Sequence, residues 1–310
     1  MKNVIFSVYI DVDERHIMPK HLAKHRNTKS KFENYEGQLA ANKIKYAESI
    51  GAEYIQFGDD KQYQDFKKKF TFIRNEFDAI NFYKLYLLET IECDNILHLD
   101  FDVICKTDKD FFKEHDMNLI NIRAINSDKS NPQLWHGWER AIDNGRGQLT
   151  TLNDPMMNYD NMIKHVDSYA MYVKNICKKA MFLVEDIYES SNWIMNTAVL
   201  GSNSEIIKTV KFFEQYHHLR DLVIQAKEES FYPDDLSRNF MPNNEVFYTY
   251  LLERDNIPWS GLPDEWHHIH SKILPNDGIV RYDDHDIEKQ EAANFIHVVS
   301  KEFESMEKYL

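Results

Sequence analysis

Apolar positions along the chain recur in two periods, and the switch from one period to the other lays out alternating strands and helices. Residues 3–10 (NVIFSVYI) are β-branched and aromatic and end in acidic turn residues, the pattern of a buried strand. Over residues 32–49, Leu39, Ile44, Tyr46 and Ala47 recur among polar residues and the pattern stops at Gly51, which predicts an amphipathic helix with a glycine stop. Residues 52–58 (AEYIQFG) predict a second strand. A strand–helix–strand unit of this kind implies parallel pairing and a right-handed crossover.

A second helix is predicted over residues 77–91, where Phe77, Ile80, Leu87, Leu88 and Ile91 recur at spacings of three and four. Phe82, Leu85 and Tyr86 occupy its other side, so the helix reads as buried all round. Lys84 falls on the apolar stripe, and a buried ammonium needs a counter-charge or an acceptor. Further strands are predicted at 95–104 (NILHLDFDVI), 118–125 (NLINIRAI), 193–200 (WIMNTAVL) and 294–300 (NFIHVVS), with helices at 204–219 and 243–252. Between 126 and 191 the pattern weakens around Trp135, His136, Trp138 and a Gly145–Arg146–Gly147 turn, before a helix-like run over 161–188. The whole predicts one α/β sandwich domain over 1–310 with an insertion at 126–191.

Composition narrows the partners. The 310 residues carry 37 Lys and Arg against 51 Asp and Glu, a formal charge of −14, which disfavours a large nucleic-acid duplex as partner. Lys61, Lys67, Lys68 and Lys69 read as a solvated face. The three cysteines, Cys93, Cys105 and Cys177, have no framework spacing and suggest reduced thiols and a cytoplasmic setting. No segment approaches the roughly 18 apolar residues of a membrane span, and the amino terminus reads as a strand, not a signal peptide.

The chemistry centres on Leu99–Asp100–Phe101–Asp102–Val103. On a strand, side chains two apart share a face, so Asp100 and Asp102 are expected to project together with Phe101 packed behind. Two adjacent carboxylates repel unless a cation joins them. A hard divalent cation, Mn²⁺ or Mg²⁺, suits oxygen ligands and bridges them to a diphosphate. An acidic turn after a strand is the plainer reading of the tripeptide alone.

A set of segments in order then resembles glycosyltransferase family 8: Tyr83–Lys84–Leu85, the strand through Asp100 and Asp102, Asn196–Thr197–Ala198–Val199–Leu200–Gly201–Ser202–Asn203, Asn243–Asn244–Glu245, Leu262–Pro263–Asp264–Glu265–Trp266, and Ile296–His297. The resemblance implies a GT-A fold, a Rossmann-like α/β/α sandwich with a mostly parallel central sheet and a helical insertion. It implies a retaining, metal-dependent glycosyltransferase with a nucleotide-diphosphate-sugar donor, a UDP-sugar above others, and a glycan or other hydroxyl acceptor. Asp100, Asp102 and His297 would hold Mn²⁺ or Mg²⁺, with His270 the rival to His297. Lys84, Asp11, Asn196, Phe101 and Lys301 would contact the donor. Asn243, Asn244 and Glu245 would lie beneath the transferred sugar, Asn244 as an electrostatic amide and Glu245 as the one carboxylate able to act as nucleophile.

The sequence departs from the family in three places. The Asp-Gln-acid triplet is Asn-Asn-Glu, Lys84 replaces an arginine and so lacks its bidentate fork, and Lys301 is displaced from the family's lysine. The insertion aromatics Trp135, Trp138, Tyr159, Tyr169 and Tyr172 suit an acceptor site, since aromatic faces stack on sugar rings. Two other readings stand beside this one. Asp100–Phe101–Asp102–Val103–Ile104 also resembles the nucleophile motif of haloacid-dehalogenase-type Mg²⁺ phosphatases, in which Asp100 would be phosphorylated. The weakened triplet equally suits a non-catalytic nucleotide-sugar-binding module.

Overall fold

The computed structural model describes residues 1–11, 32–73, 76–126, 166–229, 243–270, 287–299 and 303–310. Its centre is a six-stranded sheet in the order β2-β1-β3-β6-β5-β7. The strands are β1 (Asn3–Val8), β2 (Glu53–Phe57), β3 (Asn95–Leu99), β5 (Ile120–Asn126), β6 (Trp193–Asn203) and β7 (Trp259–Gly261). β1 pairs in parallel with both β2 and β3, and β5 in parallel with β7. Only β6 runs against its neighbours, so the sheet is mixed but mostly parallel, as the alternation of strands and helices predicts. A second sheet of three short strands, β4 (Val103–Cys105), β9 (Phe295–Val298) and β8 (His268–His270), stands beside it.

The predicted crossover from β1 to β2 is present. Its helix, α1 (Glu36–Ile50), buries Leu39, Lys43, Tyr46 and Ala47 and stops at Gly51. Gly51 has φ 71°, where a Cβ is strained, and its N–H closes the helix on the Glu48 carbonyl. The lysine-rich segment forms α2 (Lys61–Lys69), capped by the Asp60 side chain accepting from the Tyr63 N–H. The helix predicted at 77–91 is α3 (Glu76–Thr90). Its buried Phe82, Tyr83, Leu85, Leu87 and Leu88 join Phe6 and Ile96 of the sheet in the largest core cluster.

One prediction is corrected by the sheet order. Residues 95–104 are not a single strand: β3 ends at Leu99, and β4 begins at Val103 in the other sheet. The residues between form a turn closed by the Val103 N–H donating to the Asp100 carbonyl at 3.0 Å. Asp100 and Asp102 therefore lie in a reversal between two sheets, and the two-residue strand period does not apply to them. The helix predicted at 204–219 is likewise divided into α6 (Ser204–Thr209) and α7 (Phe212–Glu228), with Lys211 at φ 49° between them. Much of the predicted insertion lies outside the described residues, including Trp135, Trp138 and Tyr159. The remainder carries α5 (Val166–Val184), following the short α4 (Phe111–Glu114).

Gly201 of β6 sits against a packed ring. A Cβ at Gly201 would overlap the Phe111 ring, whose Cζ would lie 2.9 Å away, and would crowd Leu97 Cδ1 at 3.3 Å. Phe111 is fully buried and stacks on Phe295 and edge-on to Trp266, so its ring has no free direction. Gly201→Ala should therefore cost about 1–3 kcal/mol through overpacking. Urea unfolding followed by tryptophan fluorescence checks this; an unchanged midpoint would mean the Phe111 ring is not fixed as described.

Candidate functional site

The Asp100–Asp102 reversal is built by groups on both sides of it. From α1, Lys43 reaches in with no exposed surface and donates to the carbonyls of Phe101 (2.8 Å) and Val103 (2.7 Å), the residues on either side of Asp102. The Asp100 N–H donates to the Ala198 carbonyl of β6, and the Asp102 carbonyl accepts from Val298 of β9. The turn is thus tied to the first helix and to both sheets. Phe101 packs inward, stacked on Tyr9 at 4.5 Å and clustered with Leu39, Ile104, Ile296 and Val298.

Burial pushes the Lys43 ammonium down from 10.5 to about 8, against the pull of Cys105, Asp102 and Asp100. Because the folded value lies below the unfolded one, the unfolded chain binds more protons between about pH 8 and 10.5, and Lys43 makes stability rise with pH across that window. Compared with Lys43→Met, the wild type should gain up to roughly 3 kcal/mol over the full window. Urea titrations of both proteins at pH 7.5 and 9.5 measure this; a gap independent of pH would contradict it.

β9 lies antiparallel to β4 with His297 opposite Val103, which delivers the imidazole to the acidic turn. One ligand atom from each of Asp100, Asp102 and His297 lies within 4.8 Å of the other two. Asp102 and His297 are buried, and His297 Nε2 stands 3.5 Å from Asp102 Oδ1. His270, the rival predicted from sequence, is on β8 with its Nδ1 against Gln290 at 3.3 Å, and it is not part of this group. Two hard oxygens and one imidazole nitrogen fit Mn²⁺ or Mg²⁺, with the nitrogen favouring Mn²⁺.

Lys84 finds its counter-charge here. Only 4% exposed, it places Nζ 3.0 Å from Asp100 Oδ1. His98, two residues before Asp100 on β3, lies with Nε2 3.5 Å from the same oxygen, while its Nδ1 meets the Thr197 carbonyl at 3.1 Å. Burial holds His98 down at about 3, so the ring is neutral at pH 7 and Lys84 is the cation that matters to Asp100. Burial alone would raise the Asp100 carboxyl, but the neighbouring cationic groups, Lys84 first among them, together outweigh it, and the carboxyl is held below its usual range. Asp100 is therefore an anion ready to ligate.

The remaining sequence candidates fall into three groups. Asn243 caps α8 (Asn244–Arg254), its side chain accepting from the N–H groups of Glu245 and Val246. Asn244 is buried and donates through Nδ2 to Thr197 Oγ1 at 2.8 Å, which joins it to the stretch of β6 that carries Asn196. Glu245 is ion-paired with Lys174 of α5. Asn196 turns its side-chain oxygen onto the Ala198 N–H at 3.0 Å, where β6 breaks register with β5 between Ile122 and Arg123. Asp11 is exposed, three residues past the end of β1. Lys301 lies outside the described residues. Lys43, His98, Lys174 and His267 were not singled out as site residues from sequence. A lysine four residues after Leu39 in the predicted helix and a histidine in alternation with Asp100 are the signals there that point to two of them.

No family model matches the sequence, and no curated protein matches it. Among solved structures, the galactosyltransferase LgtC in complex with donor and acceptor sugar analogs aligns over 96% of this chain and 87% of its own, at 10% identity and a TM-score of 0.43. Mouse xyloside xylosyltransferase 1 aligns over 96% and 97%, at 11% identity and 0.43. A glycosyltransferase involved in the glycosylation of the major capsid of PBCV-1 aligns over 99% and 100%, at 12% identity and 0.38. Similarity at this level carries no functional assignment, which has to come from the side chains of the site. Among the described residues, no helix is long and apolar enough to cross a membrane.

Proposed function

We propose that this protein is a metal-dependent glycosyltransferase that moves a sugar from a nucleotide-diphosphate-sugar, a UDP-sugar in the first instance, to a hydroxyl acceptor with retention of anomeric configuration. The observation that carries this reading is the convergence of Asp100 and Asp102, in the reversal between the two sheets, with His297 of β9, far along the chain. Mn²⁺ or Mg²⁺ held there would offset the negative charge that grows on a departing diphosphate.

The protein's own groups divide the remaining work. Lys84 helps to keep Asp100 ionised, and Lys43 holds the carbonyls of Phe101 and Val103 on either side of Asp102. The Lys174 ion pair occupies the Glu245 carboxylate. A carboxylate neutralised by an ammonium is a poorer nucleophile, so this favours attack on the same face as the leaving group over a double displacement. In that route the Asn244 amide, oriented by Thr197, supplies the dipole beneath the sugar.

The phosphatase reading has less support. It calls for further carboxylates around the first aspartate, whereas the third member of this group is an imidazole. The sequence has two later acidic pairs, Asp234–Asp235 and Asp283–Asp284, without the apolar strand that a phosphatase's second acidic pair follows, and both lie outside the described residues. Calorimetry with UDP tests the donor half of the proposal. UDP should bind in the presence of Mn²⁺ and lose most of its affinity when the ion is chelated; binding indifferent to the ion would contradict it.

A further inference from the structure

Behind His297 stands a second buried imidazole. His267 has no exposed surface, and its Nε2 lies 3.2 Å from His297 Nδ1, with ring centroids 5.4 Å apart. Its own Nδ1 is buried and meets no hydrogen-bond partner among the described residues. The backbone around it is clamped. The His267 N–H donates to the Asp264 carbonyl, and its carbonyl accepts from Arg123 Nη1. The same guanidinium reaches the Asp264 carboxylate at 3.1 Å. Arg123 itself projects from β5 at the register break.

The contact between the two rings has a chemical consequence. Both rings meet nitrogen to nitrogen, so one must donate and the other accept. If His267 donates, His297 accepts at Nδ1 and carries its proton on Nε2, the nitrogen that faces Asp102; that nitrogen is then no ligand. If His297 donates from Nδ1, its Nε2 presents a lone pair to the carboxylates. We propose that His267 is a positioning residue for the metal site: it accepts a hydrogen bond from His297 Nδ1–H, holding His297 in the tautomer and ring orientation whose Nε2 can bind a divalent cation. Arg123 and Asp264 fix the backbone that presents it. The role is that of the outer partner which ligating histidines usually find in a carboxylate or a carbonyl. Here a neutral imidazole fills it.

The inference rests on the metal-site reading above, and direct Mn²⁺ binding by the full-length protein separates the two. His267→Phe keeps a ring in the cavity but removes the acceptor; His267→Gln returns an acceptor near the position of Nε2. The Mn²⁺ dissociation constant, read from the free-ion electron paramagnetic resonance signal, should rise about 10–100-fold in His267→Phe and return most of the way in His267→Gln. Thermal melting without metal separates this from a merely structural role, which would lower the melting temperature of His267→Phe without that rescue. Wild-type-like Mn²⁺ affinity in a folded His267→Phe would overturn the inference alone. Absence of Mn²⁺ binding by the wild type would overturn the metal site with it. Should His267→Phe fail to fold, nitrogen-detected histidine NMR of the Mg²⁺-loaded wild type decides: an unprotonated His267 Nε2 accepting from His297 Nδ1–H is expected, and a proton on His267 Nε2 would overturn the inference.

Discussion

Asp102→Ala is expected to lower metal-dependent donor turnover by roughly 10²–10³-fold, the scale on which a preorganised charge-stabilising group acts, and to leave the metal-free fold intact. The reasons lie in how the turn is held. The bonds from Lys43 and Val298 that hold the turn go to backbone carbonyls, which the substitution leaves in place. Removing the carboxylate therefore leaves these backbone ties in place. It also removes the like charge that works against ionisation of Asp100. The metal-free variant should melt at or slightly above the wild-type temperature, while Mn²⁺ no longer raises that temperature. Parallel melting curves with and without Mn²⁺, set beside turnover, check both halves. A variant that melts much earlier without metal would mean that the carboxylate is part of the scaffold.

Lys84→Met carries the second large effect, and its direction is the opposite. Lys84 is almost wholly buried, and Asp100, about 30% exposed, keeps some contact with water. Removing one partner of such a pair leaves the other charge without compensation, at a cost of about 3 kcal/mol. The pH dependence follows from Asp100. Its folded carboxyl is held below the usual 3.8, so the pair contributes stability that is present above about pH 4 and is lost as pH falls through the folded value. The gap between wild type and Lys84→Met should be full at pH 7 and narrow below pH 4. Mn²⁺ should recover part of the loss, because a cation on Asp100 replaces the missing ammonium. Denaturant titrations at pH 7 and pH 3.5 measure the gap; equal gaps at both would assign the loss to packing of the lysine stem.

How much of this was legible in the sequence depends on the range over which each feature is determined. The β1–α1–β2 unit was readable because its periodicity, its glycine stop and its β-branched runs are local. The break after Leu99 was not. Residues 95–104 are apolar enough for one strand, and the reversal is imposed by partners far along the chain, Lys43 on one side and Val298 on the other. The two aspartates were identified, yet the reason they face together was not strand alternation. His297 was reached by resemblance, and the antiparallel register of β4 with β9 supplies its physical basis. The pairings of the buried groups could not be read. Lys84 raised the need for a counter-charge without naming Asp100, and His267 stood in His267–His268–Ile269–His270 with nothing local to single it out.

The claim on which the rest depends is that the Asp100–Asp102–His297 group serves transfer from a nucleotide-sugar. The most direct measurement is release of nucleoside diphosphate from a panel of nucleotide-sugars, with and without Mn²⁺, by the wild type and by Asp102→Ala. Mn²⁺-dependent release from at least one UDP-sugar, lost in Asp102→Ala, is the predicted result. No release from any donor, together with metal-dependent hydrolysis of simple phosphate monoesters, would contradict it.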